Sequence, residues 1–411
     1  MYFKRISKYL KYNVNQIIKF YKINIVNLLF KSINRVQNYY IKNNNFDYYN
    51  YVDILEYQPN INSKIRDINI NLDVKNNDCV KLFNSIKEFC SKNKNKNKNK
   101  KFVISLSGGV DSMVLTTIIH YLKYPIIAAH INYNNRDESI IEQKFLENWC
   151  HYNNITLYVK NITDIKRKSI KRSDYETITK DLRIDFYKSI LEQENADMIL
   201  LAHHKDDIVE NIFANVCRGR YILDLAVIRE ETSIKNIKIA RPIIEFYKDV
   251  IYKFAHLYQV PYFLDTTPNW SVRGKYRTKI YPVLEEAFSK NIKENLIYLS
   301  QQSDDWNKLI NKEIIEPFIN SIDWSIDKYT STNSSSIKIN IENYKEYPLS
   351  FWNLIFMDLF NKFGHSAPSR RAIRNFINSI NNDYNNCISL SDNCKCALNN
   401  NIITIQFKNI N

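Results

Sequence analysis

Two separated stretches carry residue types suited to phosphate chemistry. The first is Ser107-Gly108-Gly109-Val110-Asp111-Ser112. Small residues let backbone amides approach an anion, and a helix starting there would aim the positive end of its dipole at the same spot. Asp111 would repel phosphate as a bare carboxylate, so its presence makes more sense if it holds a cation or metal that bridges to the phosphate oxygens. The second stretch is Ala202-His203-His204-Lys205-Asp206-Asp207. Two carboxylates beside two imidazoles can hold Mg²⁺ and organise attack at phosphorus. Ordinary capping of a helix N-terminus is the plainer reading of Asp206 and Asp207. Asp111 and Asp207 are the expected essential acids and metal ligands, with Asp206 beside them.

Basic residues follow the same order along the chain. Arg183 lies in the middle of a helical pattern. Arg218-Gly219-Arg220 ends another, with the glycine a reasonable C-cap and the arginines able to pair with phosphate or carboxylate. The stretch Asp265–Arg277 brings Arg273, Lys275 and Arg277 together, with Trp270 and Tyr276 available for stacking on bases. Charge with aromatic surface suits single-stranded RNA. Exposed surface arginines and a solvated linker are the alternatives.

The elements that must position these residues alternate. Phe102–Leu106 reads as a buried strand, and Val114, Leu115, Ile118, Ile119 and Leu122 recur at helical spacing. Strands at Ile126–Ile131, Thr156–Val159, Met198–Ala202 and Ile237–Ile239 are separated by helices. Ser139-x-x-Glu142 resembles a capping box, and Asp174 could cap the helix that follows. This is an α/β pattern with a doubly wound, parallel, five-stranded sheet, whose ligands bind beyond the carboxyl ends of the strands. That rule gathers Ser107–Ser112, His130–Tyr133 and His203–Asp207 at one edge. After about Leu284 the alternation gives way to helices (296–310, 349–363 and 369–380) and short strands around Cys387–Phe407, a smaller mixed α+β domain. The expected division is a basic N-terminal extension over 1–100, closing in a disordered Asn-Lys linker from Ser91, a catalytic domain over 101–284, and a substrate-recognising domain over 285–411.

Composition bounds the partners. The net charge of +15 over 411 residues suggests a polyanion such as RNA, although a chain this rich in Asn, Lys, Ile and Tyr would be basic from its composition alone. An average chain has about 7% Gly; this one has 5 in all, and four stand at 108, 109, 219 and 274, inside the stretches above. Seven scattered cysteines form no disulfide framework and point to a reducing compartment. No apolar run of membrane-spanning length is present. Residues 1–46 contain nine Lys or Arg and no acid, as an organelle transit segment or an RNA-contacting arm would. The expected location is cytoplasmic, with an organelle as the alternative.

Ser-Gly-Gly-x-Asp-Ser lacks the end of a Walker A loop and resembles the PP-loop of the N-type ATP pyrophosphatases. The succession of Ser107–Ser112, His130-Ile131-Asn132-Tyr133 with Arg136 and Ser139, Arg183, His203–Asp207 with Glu210, Arg218-Gly219, Arg241-Pro242 and Asp265–Arg277 resembles the tRNA(Ile)-lysidine synthase family over about residues 102–284. Tyr133, Lys205 and Gly274 depart from that family's usual His, Leu and Asn. The resemblance implies ATP and Mg²⁺ as cofactors, with ATP held by Ser107, Gly108, Gly109, Val110, Asp111, Ser112 and His130. It implies adenylation of the wobble cytidine of an isoleucine tRNA with anticodon CAU, displacement of AMP by free L-lysine, tRNA contacts from Arg183, His203, Arg218, Arg273, Lys275 and Arg277, and a possible homodimer. Thiolation of tRNA by the same loop is the rival enzyme reading, although no suitably spaced cysteine pair lies near the loop. A catalytically inactive RNA-binding homologue is the rival from another class, and the retained acids speak against it.

Overall fold

The computed structural model describes residues 48–58, 64, 65, 70, 77–94, 101–163, 165, 171–225, 228–265, 267, 271–289, 291–322, 334–381, 387–399 and 401–408. The basic stretch 1–46, the Asn-Lys tract at 95–100 and Trp270 lie outside them. The chain divides into two compact units, Met1–Asn211 with Ile228–Lys293 and Ile212–Val227 with Glu294–Asn411.

The first unit is built on β2 (Phe102–Ser105), β3 (Ile126–Asn132), β4 (Thr156–Asn161), β5 (Met198–Leu200), β6 (Glu231–Ile234) and β7 (Ile237–Ala240), with β1 (Leu55–Tyr57) and β8 (Tyr262–Phe263) as a separate antiparallel pair. The six-stranded sheet has the order β4-β3-β2-β5-β7-β6. Five strands are parallel, as expected. The sixth, β6, pairs antiparallel with β7 through a tight turn in which Lys235 and Asn236 both take positive φ. Its Glu-Thr-Ser-Ile sequence carries one apolar residue, so the pattern gave no strand signal.

Alternate residues of the parallel strands feed two apolar layers. Phe102 and Ile104 join a core with Ala128, while Val103, Ile127 and Ala129 face the other side. Helices α2 (Val110–Tyr121), α3 (Glu138–Tyr152) and α6 (Lys248–Leu257) contribute to the first layer, α4 (Arg172–Gln193) covers the second with Ile184, Tyr187 and Ile190, and α5 (Lys205–Cys217) follows β5. Each fully buried aliphatic side chain contributes about 1.5–3 kcal/mol, which is why these strands read as unbroken apolar runs. The core also begins upstream of residue 101. Helix α1 (Asn77–Lys94) buries Leu82, Ile86 and Cys90 against it, and the segment before it buries Tyr48, Tyr51, Ile54 and Leu55. Helix α1 also runs four residues, Ser91–Lys94, into the tract expected to be linker. Ser139 does not cap α3. Its hydroxyl donates to the Arg136 carbonyl (2.7 Å), and Glu142 holds the Arg136 guanidinium (2.8 Å).

The second unit is a four-stranded antiparallel sheet, β10 (Cys387–Ser391), β11 (Cys394–Asn399), β12 (Ile402–Lys408) and β9 (Ser334–Asn340), in that order. Leu349–Lys362 and Arg370–Asn381 are helices, and Trp352, Phe356, Phe360 and Phe376 fill the core beside Ile403, Ile405 and Phe407. The first strand, Ser334–Asn340, escaped the sequence reading because it opens on three serines. No helix among the described residues is long and apolar enough to cross a membrane.

Candidate active site

The chain leaves β2 to build β3 and β4 on one side, then returns to place β5 on the other side of β2. The loops after β2 and β5 therefore diverge, and a crevice opens between them. There lies a cleft of about 430 Å³, within the size range of small-molecule sites. Ser107, Gly109, Val110, Asp111 and Ser112 line it from the first loop, with His203 and Asp207 from the second.

The first loop is held by its own side chains. Ser107 and Ser112 hydroxyls lie 3.0 Å apart, and Ser112 donates to the Gly109 carbonyl (3.0 Å). Gly108 takes φ +86°, its carbonyl accepts the Phe263 N–H (2.9 Å), and an added Cβ would sit 1.9 Å from the Phe263 ring. Only glycine fits. Gly109 begins α2 without a side-chain cap, so the first amides of that helix face the cleft without a side-chain partner.

His204 joins the acids. It is 1% exposed. Its Nε2 lies 3.7 Å from Asp111 Oδ1 and 3.4 Å from Asp207 Oδ2, and its Nδ1 3.6 Å from Asp206. Burial works against its charge, but Asp206, Asp111 and Asp207 outweigh it and raise its pKa. Burial raises Asp111 despite His204 and Lys248, whose ammonium is 3.6 Å away. For Asp207 burial pushes upward too, but His204 and Arg273 hold the carboxyl below its usual range. Asp111 Oδ1 is buried without a hydrogen-bond partner. No group of three or more His, Cys, Asp or Glu among the described residues is arranged as a metal cage. Asp111 and Asp207 nonetheless offer oxygen donors of the kind Mg²⁺ takes, one or two carboxylates with phosphates and water completing the shell.

The remaining expected residues divide. Arg183 lines the cleft and bonds to the Tyr133 hydroxyl. His203 lines it as well; burial pushes its pKa down to about 4, and its Nδ1 accepts the Arg241 Nε–H (3.1 Å). Arg273 and Arg277 reach the cleft already engaged: Arg273 with Glu210 (2.8 Å) and Asp207 (3.4 Å), Arg277 with Glu210, Asp207 (3.6 Å) and Asp265 (3.3 Å). Asp206 faces a smaller cavity instead, where it accepts the Lys248 N–H at the start of α6 (2.8 Å) and pairs with Lys293. His130 is buried on β3, donating from Nδ1 to the Leu106 carbonyl (2.9 Å), so it braces the first loop rather than facing the cleft. Lys275 is exposed outside the cleft. Arg218 is exposed too and belongs to the second unit. Tyr276 is 6% exposed and cannot stack on a base as expected. Glu56, Lys248, Tyr252 and Tyr262 also line the cleft. They carry no motif, and nothing in the sequence pointed to them.

Comparisons with known proteins identify the family. The PP-loop domain family matches residues 80–284. The chain is 30% identical over 287 residues to the tRNA(Ile)-lysidine synthase of Mycoplasmopsis pulmonis, covering 69% of this chain and 91% of that one. It is 29% identical over 223 residues to the enzyme of that name from Chlamydia felis, covering 54% and 69%. It is 30% identical over 219 residues to that of Bacteroides thetaiotaomicron, covering 53% of this chain and half of the relative. With a PP-loop domain in its α/β unit and 30% identity across 91% of the Mycoplasmopsis relative, this chain belongs to the tRNA(Ile)-lysidine synthase family.

Proposed function

We propose that the protein adenylates the wobble cytidine of an isoleucine tRNA with anticodon CAU and joins it to free lysine. The observation that carries this reading is the meeting of Ser107–Ser112 with Asp207, about a hundred residues apart in sequence, on one cleft. In the first step the cytidine carbonyl oxygen at carbon 2 attacks the α-phosphorus of ATP, and pyrophosphate leaves. In the second a lysine amine attacks carbon 2, and AMP departs with that oxygen. Amides at the start of α2 bind the departing phosphates. Asp111 and Asp207 would hold Mg²⁺, which when bound would supply charge to offset that of the phosphates. His203, neutral at physiological pH and with Nδ1 already accepting from Arg241, offers its Nε2–H as a donor. Arg183 adds positive charge for phosphate or base. Lys275, being exposed, suits a contact with the tRNA backbone, as does Arg218 on the second unit.

Thiolation draws no support from the cysteines. None lines the cleft, and burial pushes Cys90 and Cys150 up to about 12, which keeps them protonated. The test is incubation with CAU-anticodon isoleucine tRNA, Mg²⁺-ATP and labelled lysine. Label in the tRNA with one pyrophosphate per lysine supports the reading. Pyrophosphate without label points to another nucleophile, and no ATP turnover points to a binding protein.

A further inference from the structure

Most charges of the cleft are paired within it, with Arg183 bonded to the Tyr133 hydroxyl instead. Glu142 holds Arg136, Asp207 and Asp265 hold Arg273 and Arg277, and Asp111 faces Lys248 and His204. One lining carboxylate, Glu56, has no ion-pair partner among the described residues. It stands on β1, upstream of the matched family domain, which starts at residue 80.

Strand β1 is built into the cleft wall. Leu55 pairs with Phe263 and Tyr57 with Tyr262, and Leu264 N–H donates to the Ile54 carbonyl (3.0 Å). Tyr57 stacks on Tyr262 with ring centres 5.8 Å apart. Phe263 in turn braces Gly108. Beneath, Tyr51 packs edge-on against Phe145 (5.2 Å). Glu56 therefore lies near two tyrosines that line the same cleft, Tyr252 and Tyr262. Burial is the main reason both hydroxyls resist ionisation, and the Glu56 charge is the next contributor for each.

A carboxylate that no protein cation neutralises, beside aromatic faces, suits an ammonium ion. Phosphate and RNA would be repelled by it, and an amino acid with two ammonium groups would not. We infer that Glu56 is a binding residue for an ammonium group of the amine co-substrate, so that residues 48–57 complete the active site of this chain from outside its PP-loop domain. This rests on the lysine reading above.

The test uses the full chain, with Glu56→Gln and Glu56→Asp made beside wild type and lysine incorporation followed over a range of lysine and of ATP. Glu56→Gln is expected to raise KM for lysine about fivefold, the upper size of one exposed charge pair, while KM for ATP moves less than about twofold; Glu56→Asp recovers part of the loss. Thermal melting of the variants should match wild type, because Glu56 is exposed. An unchanged KM for lysine in Glu56→Gln, or equal rises for lysine and ATP, overturns the assignment. Wild-type protein that releases pyrophosphate with no lysine uptake overturns the lysine reading itself, and that result is read before any variant is made.

Discussion

Gly108→Ala isolates the loop conformation from its chemistry. A side chain at φ +86° costs about 1–2 kcal/mol in backbone strain alone. The new Cβ would lie 1.9, 2.2 and 2.8 Å from three Phe263 ring carbons, and forcing such an overlap into a packed core typically costs about 1–3 kcal/mol. Phe263 cannot swing away freely. Its N–H bonds Gly108, its neighbour Leu264 bonds Ile54, and its ring meets Phe145 at 5.3 Å. The sum is about 2–5 kcal/mol, a large part of the ~5–15 kcal/mol that holds a typical domain. At roughly 2–4 °C per kcal/mol for a unit of this size, the melting point should fall by about 5–20 °C. Gly109→Ala is the matched control. Its nearest contact would be Ser107 Oγ at 3.6 Å, and its φ is −69°. It should melt within about 3 °C of wild type yet bind ATP more weakly, since its methyl enters the cleft. The assay is thermal and urea unfolding beside pyrophosphate release against ATP concentration. Wild-type melting in Gly108→Ala would refute the claim that the Phe263 contact fixes the loop.

Other outcomes follow from the same geometry. On the proposed role of Asp111 as a metal ligand, Asp111→Asn should lower pyrophosphate release at least a hundredfold, while tRNA retention in a filter assay stays within about twofold. His203 is depressed from 6.5 to about 4 in the folded state, so the unfolded chain binds its proton first and stability falls as pH drops from about 6.5 toward 4. That loss approaches about 3 kcal/mol below pH 4, and His203→Gln, which keeps an acceptor for Arg241, should shrink it in urea titrations at pH 7 and 4.5. His204 has the opposite sign, because its folded pKa is raised; its contribution is full below 6.5 and fades as pH rises through the folded value. Lys275→Ala should reduce the salt slope of tRNA binding by about 0.7–0.9 without changing melting. Arg273→Ala should reduce turnover as well, because it strips a partner from Asp207 and Glu210.

The local devices were legible in the residues themselves. Phe102–Ser105, the glycine turn and the helix after it are neighbours in sequence, and their apolar spacing and small residues define one strand–loop–helix unit. The same holds for the Met198–Leu200 strand and the acidic helix start that follows. The doubly wound order follows from such units, since parallel strands need crossovers and crossovers have one hand. Neither the antiparallel edge strand nor Ser334–Asn340 could be seen, because polar strands with few apolar residues look like loops until a neighbour pairs with them.

Long-range pairing was decided by the tertiary structure alone. Residue types cannot say that Arg277 meets Glu210, Asp207 and Asp265; the fold brings those three carboxylates to it. Tyr276 has the composition of a stacking platform and the position of a core residue; an aromatic ring serves either role, and only its burial chooses. His204 unites Asp111, Asp206 and Asp207, while Asp206 and Asp207 face different cavities, since adjacent residues at a helix start diverge in direction. Glu56 lies 55 residues before Asp111 and joins it because β1 pairs with β8, a contact whose partners are some 200 residues apart. Sequence determined which segments could fold and which loop could take phosphate, because those depend on neighbours along the chain; which charges stay unpaired for substrate depends on neighbours in space, and the fold alone supplied them.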